Sequence, residues 1–435
     1  MKQLSLTAAL TFICCAAAAA ADRPAGLAFS QLSARVKAEV PAAPTPEQGV
    51  DLSAIEDLKN DARYWVTAAA DDKYDRTGLL NAGLDIVEIE ERAVSGFIAG
   101  PEMDQLAQKG FIVKSRQPIY DYAKKHLKDF PAADGVYHNY AETAEQLQQL
   151  AAANPAETSL LSIGKSLEGR DVWCLRVNPA EKGETPSARP AALFMGNHHA
   201  REHLTNEVAL GLATYLMAHK TEPEIRGYLD TLDIYIAPMT NPDGAEYDIQ
   251  TGKYRWHRKN TRVNSDKSIG VDLNRNYDSL WCKAGASHSP GSDTYCGPYA
   301  FSEPETLNIK KFVETHKNLK TLMSYHSYSS LVLYPWAGKD VPVESARDRK
   351  VFESMGKAMA SFTGYKPEQS SDLYVATGDT TDWAYATSGI FAFTTELEGS
   401  SFYPGAAAIA KAVANNVKAA VYMLGVTGDP YELAR

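Results

Sequence analysis

Cysteine is scarce in this chain, with five residues in 435, and that excludes a miniature scaffold stapled by disulfides. A surplus of positive charge is missing as well. Lys and Arg number 44 against 54 Asp and Glu, a formal net charge of −10, which argues against a nucleic-acid binder, since phosphate recognition needs clustered cations. Long apolar runs are few. The run at 4–15 is too short for a membrane span, and the one at 406–424 is interrupted by Lys411 and Lys418. No Gly-x-Ser-x-Gly elbow of a serine hydrolase occurs. The string Gly164-Lys165-Ser166 lacks the first glycine of a phosphate loop, because position 159 is Ser. No internal repeat is found. What remains is 44% hydrophobic and 23% charged, ordinary values for a globular protein with one large domain and a small one.

The N-terminus sets the compartment. Lys2, a short apolar core and an alanine tract ending at Ala21 read as a secretory signal peptide over 1–21, so the mature protein is expected outside the cytoplasm, extracellular or periplasmic. Two cysteines leave with it. Of the other three, Cys174 sits in a strand-like stretch and is read as a buried free thiol, while Cys282 and Cys296 lie close together in a Gly/Ser-rich loop and could pair.

Residues 22–52, rich in Ala and Pro, read as a flexible leader. The following block, 53–115, predicts strands at 64–68, 85–90, 93–99 and 111–114 and helices at 72–82 and 101–109. This β-α-β-β-α-β order is the ferredoxin-like arrangement. The block has no catalytic spacing of its own. A basic stretch, 116–129, reads either as an exposed helix or linker or as a protease-accessible connector. From 130 to 435 strands and helices alternate without a second boundary. Strands are expected at 160–166, 172–177, 191–195, 232–238, 322–326, 331–336 and 391–397, and helices at 143–153, 205–219, 303–316 and 406–424. The fold class is α/β, a mixed central sheet sandwiched by helices.

The chemistry concentrates after the strand at 191–195, in Gly196-Asn197-His198-His199-Ala200-Arg201-Glu202-His203. Strand C-terminal ends carry the sites of open α/β sheets, and two imidazoles beside a carboxylate are metal-ligand chemistry. Two parsings compete. In one, His199 and Glu202 are ligands and a third comes from downstream. In the other, His199-x-x-Glu202-His203 is an inverted zincin motif with Glu202 as base. The second needs a further Glu ligand, and no Glu occurs between Glu246 and Glu303; the first finds His326 at a strand end. His198, His203 and His257 read as hydrogen-bonded neighbours rather than ligands.

His199-Ala200-Arg201-Glu202, Asn241-Pro242-Asp243-Gly244, Asp272-Leu273-Asn274-Arg275-Asn276, His326-Ser327-Tyr328, Tyr374 and Thr395-Glu396-Leu397 occur in that order. Over about 130–430 the chain resembles the zinc carboxypeptidase A/B family, and its bacterial secreted carboxypeptidase T-like branch in particular. The resemblance implies one Zn2+ held by His199, Glu202 and His326, with Asp272 bonded to the far nitrogen of His199. It implies Glu396 as general base and Arg258 as oxyanion stabiliser, although His257 stands where the family usually has Trp. Asn274, Arg275 and Tyr374 would grip the terminal carboxylate of the substrate, with Arg201 further out. Leu333, Ala337, Asp379, Thr381 and Thr394 would line the pocket for the terminal side chain. The expected partners are peptides or proteins with a free C-terminus, the 53–115 block as an inhibitory pro-domain, and an activating protease. The enzyme is expected to work as a monomer without membrane or nucleic acid. A same-fold alternative is an amidohydrolase that deacylates amino acids; a different class is a zinc-containing binding protein without activity.

Overall fold

The computed structural model describes residues 58–126, 136–249 and 254–435. The segments expected as signal peptide and leader lie outside the described residues, as do 53–57 and 127–129 of the two segments that follow. Strands Arg63–Ala69 (β1), Asp85–Glu90 (β2), Ala93–Ala99 (β3) and Val113–Pro118 (β4) form an antiparallel sheet in the order β2-β3-β1-β4. The two-residue period of a strand sorts its side chains. Val66, Ala68, Val94 and Ile98 face the helices Lys73–Asn81 and Gly100–Gln108 through Leu79, Met103 and Leu106. Trp65 and Phe97 point the other way, into a cluster with Trp256 and Phe402 of the large unit. The small unit therefore has a core of its own and a second apolar face buried against its neighbour.

The last strand runs over 113–118 rather than 111–114. Phe111 instead folds back on the preceding helix, its N–H donating to the Leu106 carbonyl at 3.0 Å. The basic stretch expected from 116 thus begins inside β4 and continues as the helix Ile119–His126.

The large unit holds eight strands: Thr158–Lys165 (β5), Asp171–Val177 (β6), Ala191–Met195 (β7), Asp233–Ala237 (β8), Leu319–Ser327 (β9), Leu331–Tyr334 (β10), Lys366–Gln369 (β11) and Phe391–Leu397 (β12). Their order is β11-β10-β12-β9-β7-β8-β6-β5, with β8, β7, β9 and β12 parallel and antiparallel pairings towards both sides. Apolar cores lie on both faces. All five residues of β7 are buried, as a central parallel strand covered on two sides requires. Helix His203–Ala218, amphipathic by its sequence, buries 13 of its 16 residues, because it lies between the sheet and the helices Tyr140–Ala153 and Ala406–Thr427. The chain leaves β7 for β8 on one side and returns at β9 on the other. That is a topological switch point, and the crevice beyond its strand ends is where such folds place ligands.

Cys282 and Cys296 form a disulfide, and Cys174 is free and buried. Cys282, Cys296 and His288 lie close enough to suggest a metal cluster, but the bonded sulfurs are not thiolates and cannot serve as ligands.

Candidate active site

The site starts at the end of β7. Gly196 has no room for a side chain: a Cβ there would sit 2.6 Å from the Pro238 carbonyl oxygen and 2.7 Å from that of Thr205. Asn197 follows at φ 55°, a left-handed conformation that Asn tolerates, and its amide Nδ2 donates to the carbonyls of His199 (3.0 Å) and Ala200 (3.2 Å). This turn aims His199 back over the strand ends. Glu202 closes the turn just before the helix His203–Ala218. His326 arrives on β9, and Glu396 on β12 is its register partner.

His199 Nδ1 lies 2.8 Å from Glu202 Oε1, and His326 Nδ1 lies 3.1 Å from both Glu202 Oε2 and His199 Nδ1. One ligand atom from each of the three residues lies within 4.8 Å of the other two. The set is two nitrogens and a carboxylate, buried, which suits a catalytic zinc with an open position. Both rings would ligate through Nδ1, because Nε2 of each is engaged elsewhere: His199 Nε2 at 3.2 Å from Asp272 Oδ1, and His326 Nε2 at 3.1 Å from Ser324 Oγ. Two neighbouring histidines bond other partners instead of the triad. His203 bonds Asp248 at 2.9 Å and His257 the Asn260 carbonyl at 2.8 Å.

His199, Glu202, Arg201, Arg258, Asn274, Arg275, Tyr374, His326 and Glu396 line one cavity of about 260 Å³. Arg275 uses Nε on the Gly285 carbonyl (2.7 Å) and Nη1 on its neighbour Asn274 (2.9 Å), so the guanidinium is fixed by backbone before any ligand arrives. Arg258 Nε donates to Asp272 Oδ2 at 2.9 Å. Asp272 therefore serves both His199 and Arg258, and the Arg258 guanidinium together with the His199 ring holds its carboxyl well below the usual range despite burial. Burial, then the nearby Glu202 charge, pushes the Glu396 carboxyl up to about 8, opposed by His199, Arg258 and Arg275.

Leu333, Ala337, Asp379, Thr381 and Thr394 are buried and do not line this cavity. Asp379 caps the helix Thr380–Ser388: its carboxylate accepts the Asp382 N–H at 2.9 Å and the Thr381 hydroxyl at 2.7 Å. Asn-Pro-Asp-Gly, which as a sequence is a turn signal, here opens the helix Pro242–Ile249, and Asn241 braces the site by donating to the His198 carbonyl at 3.0 Å.

One participant had no signal in the sequence. Asp85, the first residue of β2, is buried between Arg201 Nη2 and Arg258 Nη1, the latter at 3.2 Å. The fit depends on Gly96, since a Cβ on it would come within 1.9 Å of the Asp85 carbonyl oxygen. The helix Lys73–Asn81 reaches the same rim. Arg76 donates to the carbonyls of Asp372 and Leu373, Thr77 accepts the Val375 N–H at 2.8 Å, and Asn81 accepts the N–H of Gly285. The backbone is held on both sides of Tyr374.

The profile of the zinc carboxypeptidase family, Peptidase M14, matches residues 143–419, and the chain belongs to that family. It is 37% identical over 289 residues to a zinc carboxypeptidase of Saccharothrix mutabilis subsp. capreolus, covering 64% of this chain and 65% of that protein. Against carboxypeptidase A2 of Rattus norvegicus it is 33% identical over 272 residues, 61% of this chain and 64% of that one. The matches thus span a little under two thirds of these relatives. The solved carboxypeptidase A of Helicoverpa armigera shares the fold, with a TM-score of 0.70 at 23% identity over 86% of this chain and 98% of that one. The family's metal is zinc, and the His199–Glu202–His326 triad can bind it.

Proposed function

We propose that this protein is a zinc metallocarboxypeptidase, exported through its signal peptide and made as a latent precursor, that hydrolyses the C-terminal peptide bond of peptides and proteins and works as a monomer. The observation that carries the reading is the single cavity shared by the His199–Glu202–His326 triad, Glu396 and the backbone-fixed Arg275. An endopeptidase has no use for a fixed guanidinium at the far end of its cleft, whereas a free C-terminal carboxylate is matched by it. Among the described residues no helix is long and apolar enough to cross a membrane.

Zinc bound by the triad would acidify water and polarise the scissile carbonyl. Glu396 takes the proton of the attacking water and passes it to the departing amine. Arg258, held by Asp272, faces the oxyanion, a role typically worth ~3–4 kcal/mol of barrier. Arg275 and Asn274 bind the terminal carboxylate, the Tyr374 hydroxyl closes over it, and Arg201 contacts substrate further from the bond that breaks. Loss of one residue from an unblocked peptide, read by mass spectrometry and abolished by a chelator with zinc restoring it, is the expected result. Internal cleavage, or turnover that survives metal removal, would overturn the reading.

By the family resemblance the pocket for the terminal side chain is assigned to Leu333, Ala337, Asp379, Thr381 and Thr394, which are buried outside the lining of the catalytic cavity. Burial raises the Asp379 carboxyl, and its oxygens already accept two hydrogen bonds, so its pull on a cation is blunted. Peptides ending in Phe or Leu should be cleaved at least ~10-fold faster than those ending in Glu, about 1.4 kcal/mol, with Arg between. Equal kcat/KM for Phe and Glu would remove this assignment.

The block 53–115 is assigned as the pro-domain and 116–129 as the connector that an activating protease cuts, leaving 130–435 as the catalytic domain. The reading is supported by Asp85, whose carboxylate occupies the arginines that substrate needs.

A further inference from the structure

Beneath the metal triad lies a run of buried hydrogen bonds between two functional side chains that do not touch each other. His326 Nε2 is 3.1 Å from Ser324 Oγ, and Ser324 Oγ is 3.1 Å from His198 Nδ1. His198 Nε2 is shared between the Tyr277 hydroxyl at 2.9 Å and Thr380 Oγ1 at 3.3 Å. Thr380 Oγ1 in turn lies 2.9 Å from Asn274 Oδ1. His198 is 1% exposed and its ring stacks on that of His326 at 5.6 Å and 11°.

The direction of this chain is fixed at one end by a backbone donor and at the other by the requirement that a metal-binding His326 Nδ1 carry no proton. At one end the Thr380 backbone N–H reaches the Asn274 side chain at 3.0 Å. A backbone N–H can only donate, so the atom facing it is the carbonyl oxygen Oδ1, and the amide NH2 of Asn274 is left for the cavity. The Thr380 hydroxyl donates to the same oxygen and, with the Tyr277 hydroxyl, offers a lone pair to His198 in the tautomer protonated at Nε2. Bare Nδ1 of His198 then accepts the Ser324 proton, and the Ser324 oxygen accepts His326 Nε2–H. Nδ1 of His326 is left without a proton, as a metal ligand must be. Reversing every bond would put the proton on His326 Nδ1 and exclude the metal.

We propose that His198 is a positioning residue that couples the two halves of the site, holding His326 in its metal-binding tautomer through Ser324 and Asn274 in its carboxylate-reading orientation through Thr380. The inference deepens the carboxypeptidase reading and rests on it for the Asn274 half only.

The test uses full-length variants. Zinc affinity is read on the intact chain by competition with a chelating dye, and KM and kcat on a peptide ending in Phe after limited trypsin digestion. Ser324→Ala should weaken zinc binding ~10-fold with KM unchanged. Thr380→Val should raise KM several-fold with zinc affinity unchanged. His198→Phe, which keeps a stacked ring, should do both. His198→Asn places an amide near the Nδ1 position and should restore zinc affinity but not KM; His198→Gln, reaching the Nε2 position, should do the reverse. Unchanged zinc affinity and KM in His198→Phe would overturn the proposal, as would equal losses in the Asn and Gln variants, the mark of a packing role. Should the wild-type chain release no C-terminal residue, the reading of the activity fails, while the zinc comparison still decides the His326 half.

Discussion

Glu396→Gln is expected to lower kcat by ~10²–10⁴ in the zinc-loaded, trypsin-released enzyme, the span over which a positioned general base contributes. KM and zinc affinity should hold, because Glu396 is not among the ligand atoms of the triad and the substitution keeps its shape. The argument is one of placement and charge. Glu396 stands in register with His326 on neighbouring parallel strands and lines the cavity beside Arg258 and Arg275. Burial and Glu202 push its carboxyl up to about 8, whereas a dication nearby favours the carboxylate. The acid limb of the kcat/KM profile should therefore lie above the ordinary carboxylate value of ~4.3 and at or below about 8. Activity falls as pH drops through it, since only the ionised form accepts a proton. Steady-state kinetics from pH 5 to 9 checks both points. A Gln variant that retains wild-type kcat would refute the base, and an acid limb that persists unchanged in its residual activity would belong to another group.

Residues that act through short-range sequence spacing are legible in the sequence. His199 and Glu202 sit three apart just after the apolar run of 191–195, and the segments that bring in His326 and Glu396 read as strands. Ordinary periodicity likewise gives the β-α-β-β-α-β order of the small unit. The helix Ala346–Thr363 is not among the helices expected above, yet the sequence holds its signals: Ser345 caps it, Val351, Phe352, Met355 and Met359 make one buried face, and Gly364 ends it at φ 78°. Thr380–Ser388 is a different case. Its Thr-rich start has poor helix propensity, and Asp379 caps it from a position that reads as a pocket residue. The hydrogen-bond chain through His198 was out of reach, since Ser324, Thr380 and Asn274 meet only when three separate segments converge. A lone histidine beside a ligand carries no sign of what it touches.

Asp85→Ala in the full-length chain is expected to raise activity at least ~10-fold without any proteolysis. Removing one member of a buried, interfacial charge cluster costs about 2–5 kcal/mol, much of it from stranding the partner charges. Here the stranded groups are two arginines, Arg201 and Arg258, which Asp85 holds together in the buried interface. Without it their mutual repulsion works against docking of the small unit, and their guanidinium groups become available to a peptide. Gly96→Ala should act in the same direction with Asp85 intact, because the added Cβ would displace the Asp85 backbone. Neither variant should abolish latency. The helix Lys73–Asn81 still holds the backbone on either side of Tyr374 and the Gly285 turn that seats Arg275, and the Trp65–Phe97 face still buries itself against Trp256 and Phe402. Trypsin-released enzyme from either variant should match wild type in kcat and KM, since both substitutions leave with the N-terminal block. Equal activity of the wild-type chain before and after digestion would remove the inhibitory role altogether. An Asp85→Ala chain as latent as wild type would move that role from the charge cluster to the helix and the apolar face.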